Sequence, residues 1–183
     1  MNRLANVLVA AVLITGCVSA PPPQYFTLNM EPSGKARAEK NNLDVDHLLP
    51  AEALIRNQIL IKKNPTEIEY YKRAMWAERV DAVVREKLEA EFGPKNDSRP
   101  TFILSGDLLA FEQLDTEGGA DAHIKMALEF RPAGSSRYDK PTFSKTYEIR
   151  VTAKTRSPGA VVEALSQGVE QIAAQIVADG KAL

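Results

Sequence analysis

Strands, a helix, more strands and a second helix follow one another along this sequence, which predicts an α+β two-layer sandwich with two amphipathic helices on one face of a largely antiparallel sheet. Three observations carry that prediction. Trp76, Val80, Val83, Val84, Leu88 and Phe92 fall at helical spacing, and Val162, Leu165, Val169, Ile172 and Ile176 repeat at alternating steps of three and four. Between these stripes, three segments alternate with period two across hairpin-length connections, the pattern of an antiparallel meander.

The amino terminus has a different grammar. Arg3 precedes the apolar run Leu4 to Ile14, and the small residues Thr15 and Gly16 lead to Cys17, the one cysteine of the chain. This is the order of a secretory signal peptide. The apolar run is too short to span a bilayer of ~30 Å as a helix. Ile14-Thr15-Gly16-Cys17 resembles the lipobox of bacterial lipoproteins, and the resemblance implies a thioether-linked lipid on Cys17 as first mature residue. Two or three acyl chains hold a protein on a membrane almost permanently. Val18 follows where an aspartate commonly retains such lipoproteins on the inner membrane, which implies export to the outer membrane, facing the periplasm. Residues 1–16 are thus read as the signal, 17–24 as a lipidated tether stiffened by Pro21-Pro22-Pro23, and 25–183 as one domain. In polyproline II geometry the tether reaches about 20 Å.

Within the domain, Tyr25 to Met30 alternates and reads as a first strand, followed by a polar loop from Glu31 to Asn42. Leu43 to His47 and Gln58 to Lys63 are strands connected through Leu49-Pro50, and Asn64-Pro65 turns the chain into Glu67 to Tyr71. The helix begun at Trp76 ends at Gly93-Pro94. Thr101 to Leu114 is long and apolar, with Gly106 marking a bulge or a close backbone approach. Gly118-Gly119 reverses it, the segment around Ile124, Met126, Leu128 and Phe130 returns, and after the polar loop Pro132 to Pro141 comes Phe143 to Val151. Ser157-Pro158 is an N-cap with proline at the first helical position, and the last helix stops near Gly180.

Composition narrows the function. Basic and acidic side chains number 23 and 24, interleaved along the chain with a net charge of −1, which argues against nucleic acid. One cysteine and two histidines exclude a Cys/His zinc site and imply no metal and no cofactor. His123 reads as a satisfied or exposed strand residue. No Gly-x-Ser-x-Gly elbow, phosphate-cradling glycine loop or His-Glu-x-x-His pair occurs. Carboxylate pairs such as Glu89 and Glu91, or Asp115 and Glu117, read as solvated charge, so the chain is expected not to be an enzyme. Trp76, Phe92, Phe111, Phe130 and Phe143 either fill the core or line a cavity for a phospholipid, and at ordinary packing density they fill it.

Tyr25-Phe26-Thr27-Leu28, Leu49-Pro50, the basic strand Gln58 to Lys62, the strand Glu67 to Tyr71 with Tyr70, and Trp76-Ala77-Glu78 stand in an order that resembles the ABC-type transport auxiliary lipoproteins, the PqiC-like group. Met75 stands where members often carry arginine, and Arg79-Val80 replaces their Pro-Leu. The resemblance marks Tyr25, Leu28, Pro50, Tyr70, Trp76 and Glu78 as structural or partner-binding residues. It implies an accessory, docking role beside an MCE-domain protein and an ABC transporter in intermembrane lipid transport, with a homo-oligomer left open. The competing expectation is an assembly lipoprotein of another envelope machine, built like the plug of the lipopolysaccharide translocon or a TolB-amino-terminal adaptor.

Overall fold

The computed structural model describes residues 20–34, 43–93 and 100–180. Strands β1 (Gln24–Phe26), β2 (Leu43–Pro50), β3 (Gln58–Asn64) and β4 (Glu67–Trp76) precede helix α1 (Val80–Phe92); β5 (Phe102–Thr116), β6 (Gly119–Pro132) and β7 (Phe143–Thr152) precede helix α2 (Pro158–Gly180). All seven strands form one sheet in the order β1-β4-β3-β5-β6-β7, with β2 also on β5. The α+β sandwich is as expected. The sheet is mixed: the long ladders β5–β6 and β6–β7 are antiparallel, while β2 and β3 join β5, and β1 joins β4, in parallel.

β2 and β3 share one edge of β5. β2 covers Phe102 to Leu108 and β3 covers Glu112 to Leu114, both running in the direction of β5. Residues 51–57, with a 3₁₀ turn at Glu52–Leu54, bridge the two, and the Ala51 N–H still donates to the Leu108 carbonyl at 2.9 Å. Gly106 sits where this ladder shifts register between Val45 and Leu48. A Cβ on Gly106 would lie 2.0 Å from the Ala127 carbonyl oxygen, so the close approach read from sequence is real.

Both helices lie on the same face. Leu104 and Phe130 are opposite each other, as are Leu108 and Met126, and Phe111 and Ile124; all are buried on the side that α1 and α2 cover. α1 packs mainly on β2, and α2 on β6 and β7. The stripe Val162, Leu165, Val169, Ile172 and Ile176 is wholly buried. Its helix opens as predicted, with Ser157 Oγ accepting from the Ala160 N–H and the Ser157 carbonyl from the Val161 N–H. Trp76, Phe92, Phe111 and Phe130 fill the core; the Trp76 and Phe111 rings lie 5.4 Å apart, and Phe143 packs on Phe130 from the margin.

Three expectations are corrected. Trp76 ends β4 instead of opening α1, which starts at Val80: its N–H donates to the Asn57 carbonyl at 2.6 Å and it pairs with Phe26. An inward strand residue four positions before a helix mimics the helical offset. Likewise β1 stops at Phe26, because beyond it the chain straps across the helices. Leu28 and Met30 are buried there, the Asn29 N–H donates to Ser166 Oγ at 3.0 Å, and Ser33 donates through its N–H and its hydroxyl to Glu91. Glu91 is therefore a buried partner of the strap and not a solvated carboxylate.

Two substitutions probe this packing by urea unfolding. Trp76→Ala should cost roughly 3–5 kcal/mol, for loss of a large buried side chain. Gly106→Ala should cost about 1–3 kcal/mol by forcing β5 and β6 apart, whereas Tyr25→Ala, at an exposed edge, should leave the midpoint nearly unmoved.

Candidate partner-binding face

The other face of the sheet carries no helix, and its side chains are charged. On β6 the residues between the core positions are Asp121, His123, Lys125, Ala127, Glu129 and Arg131. Their cross-strand neighbours include Glu112 on β5 and Glu148 and Arg150 on β7. His123 is buried between two carboxylates, with Nδ1 3.1 Å from Glu112 Oε1 and Nε2 3.0 Å from Glu148 Oε1. Lys125 Nζ lies 2.8 Å from the second Glu148 oxygen. His123 is thus a satisfied strand residue. Among the described residues, no group of three or more His, Cys, Asp or Glu is arranged to hold a metal ion.

The buried Arg131 organises the lower part of this face. Its guanidinium donates to Ser105 Oγ at 3.1 Å, to Glu129 Oε2 at 2.5 Å and, through Nε, to the Asp139 carbonyl at 2.9 Å. The last bond fixes the loop between β6 and β7, in which the Ser136 N–H donates to Asp139 Oδ2 and the Asp139 N–H to the Ser136 carbonyl. At the tip stands Tyr138, 82 % exposed, with the Arg137 guanidinium 4.8 Å from its ring centre. Across from it Leu49 is also exposed, and between them lies an open groove of about 570 Å³ floored by Ser105, Asp107, Ala127 and Glu129. Aromatic and arginine side chains displayed on a braced loop above a groove are the usual makings of a protein contact.

The motif residues scatter around a different corner. Tyr25 is exposed on β1, Leu28 and Trp76 are buried, and Tyr70 is half-buried on β4, its hydroxyl donating to the Ala53 carbonyl at 2.9 Å. That bond ties Tyr70 to the connection that begins after Pro50. Glu78 is exposed in the turn before α1. Cys17 lies outside the described residues. Nothing in the sequence singled out the Arg131 clamp, since its three partners come from β5, β6 and a loop; only the aromatic Tyr138 in a polar loop hinted at the groove.

The charges have a measurable consequence. Hydrogen bonds from Lys125 and His123 draw the Glu148 carboxyl from its usual 4.5 down to about 2. Because the folded value lies below the unfolded one, the stabilisation is complete above about pH 4.5 and is lost as the pH falls toward about 2. Glu148→Gln should flatten the acid limb of stability against pH across that window in circular-dichroism melts, while leaving the neutral limb unchanged in slope.

Comparison with known proteins agrees with this architecture. No curated protein matches the sequence. The crystal structure of an uncharacterized protein superposes with a TM-score of 0.67 at 14 % identity, covering 87 % of this chain and 99 % of the other. A Xanthomonas campestris protein of the DUF330 family superposes with a TM-score of 0.68 at 18 % identity, covering 84 % of this chain and 91 % of its own. At such identities the likeness is one of fold. The model of the ABC-type transport auxiliary lipoprotein component family matches residues 26–177, from the end of β1 to the last turns of α2, and the chain belongs to that family.

Proposed function

We propose that this chain is a non-catalytic docking lipoprotein on the periplasmic side of the outer membrane, acylated at Cys17, that connects an MCE-domain protein and its ABC transporter to that membrane for lipid transport. Its family membership supports the auxiliary role. The observation that carries docking over catalysis is the helix-free face itself. Its buried polar groups, His123 with Glu112 and Arg131 with Ser105, are spent on one another, while Tyr138, Arg137 and Leu49 are displayed outward around the groove. Side chains held in mutual ion pairs and hydrogen bonds build a rigid surface. In this reading the acyl chains on Cys17 supply the membrane attachment; among the described residues no helix is long and apolar enough to cross a membrane.

The groove is the surface assigned to the protein partner. Leu49 and Tyr138 favour a partner segment that brings an apolar side chain, set in a lining of mixed charge with Asp107 and Glu129 beside Arg131, Arg137 and Lys145. Detergent purification of the full chain from its own membranes, followed by mass spectrometry, should recover an MCE-domain protein together with ATPase and permease subunits. Leu49→Ala with Tyr138→Ala should lower that recovery by about tenfold or more, as expected when an aromatic anchor is truncated. Recovery of lipopolysaccharide-export components in place of an MCE protein would defeat the assignment, and undiminished recovery by the double variant would move the contact elsewhere.

A further inference from the structure

A second surface lies at the opposite edge of the sheet, where the tether joins the fold. Residues 20–23 are exposed and lead directly into β1, which pairs with Ala74 to Trp76 of β4 and leaves the outer edge of β4 from Glu67 to Arg73 without a neighbouring strand among the described residues. Three large apolar side chains are exposed at this corner: Tyr25 at 64 %, Ile68 at 50 % and Ile55 at 46 %. Met75 pairs with both Tyr25 and Gln58, Ile68 pairs with Lys62, and Ile55 lies between Ala53, which accepts from Tyr70, and Arg56, whose guanidinium stands 4.9 Å from the Tyr70 ring.

The charge of this corner departs from the rest of the chain. Between Arg56 and Arg73 there are five basic side chains and two acidic ones, in a protein of net charge −1. Glu69 is paired with Lys63, and Glu67 accepts from Asn64. Lys62, Lys72 and Arg73 have no salt bridge among the described residues.

We infer that this corner is a membrane contact, in which Tyr25, Ile55 and Ile68 rest among the headgroups of an anionic bilayer and Lys62, Lys72 and Arg73 face its phosphates. The inference rests on the acylation of Cys17 proposed above. The chain enters the fold at Gln24, only seven residues after Cys17, so the tether lets this corner lie no more than about 20 Å from the anchor. At that spacing the effective concentration of lipid is high, and a weak mixture of aromatic, aliphatic and cationic side chains suffices.

A fluorophore reads the orientation. An acylated Cys17 is a thioether and the chain has no other cysteine, so Ile68→Cys and, separately, Tyr138→Cys give the full lipoprotein a single free thiol for labelling. The labelled proteins are reconstituted in vesicles of phosphatidylethanolamine and phosphatidylglycerol that carry a headgroup quencher. Quenching should be at least about fivefold stronger at position 68 than at position 138, and Lys62→Glu with Lys72→Glu and Arg73→Glu should abolish the difference while the protein stays on the vesicles. Equal quenching at both positions, or a difference indifferent to charge reversal, overturns the membrane contact and leaves this corner to a protein. Failure of the anchor gives a separate signature: an unmodified Cys17 by mass, and protein that does not sediment with vesicles at all.

Discussion

β5 is the constraint around which this protein is organised. Its fifteen residues extend for about 50 Å, and seven of them are buried, so their backbone N–H and C=O groups must be paired. β6 satisfies one edge along its full length. No neighbour on the other edge is long enough, so β2 and β3 cover it in relay, and the Ala51 N–H carries the ladder into the gap. The relay explains why parallel pairs occur in a sheet of hairpins: β2 and β3 run the same way because they are one strand interrupted. The interruption also puts residues 51–57 beside Tyr70, where the Ala53 carbonyl and the Arg56 guanidinium meet its ring and hydroxyl.

The two faces of the sheet then divide the work. One is closed by helices over aliphatic and aromatic side chains, with Gly168 letting α2 approach Ile124 closely. The other is closed by charge, through His123, Glu112, Glu148 and Lys125 above and Arg131, Ser105 and Glu129 below. Such a face resists collapse onto another apolar surface, yet keeps Leu49 and Tyr138 in place at its margin. Specific association is more compatible with a few apolar anchors in a polar frame than with a continuous hydrophobic patch. Similar economy holds along α2, where Lys145 and the buried Tyr147 hydroxyl both meet Asp179; burial and this hydrogen bond push the phenol well above its usual range.

Much of this was legible from local pattern. Ser157-Pro158 and the stripe from Val162 to Ile176 defined α2, the Asn64-Pro65 turn defined the β3–β4 hairpin, and Gly106 announced a close approach, because each signal arises within a few residues of its cause. Trp76 misled for the same reason, since strand and helix periodicities coincide at a spacing of four. What local pattern does not carry is partner choice. That β1 joins β4 in parallel, that Glu91 meets Ser33, and that Arg131 joins β5 to the loop before β7 are contacts made across long sequence separations, and none leaves a periodic trace. The candidate groove was illegible on the same grounds, while the motif residues Leu28 and Trp76, singled out by resemblance, proved to be core.

The strap after β1 has a mechanical consequence. Any force that diffusion or a moving partner applies to the body is resisted at Gln24, where β1 meets β4 side by side in parallel. Tension along the tether therefore loads the three register pairs of that ladder in shear, all at once, instead of unzipping them singly. Behind them Leu28 and Met30, sunk beneath the helices, act as a second catch before strain reaches the sheet. Load entering at Gln24 thus meets a graded fastening, the β1–β4 ladder first and the buried Leu28 and Met30 behind it.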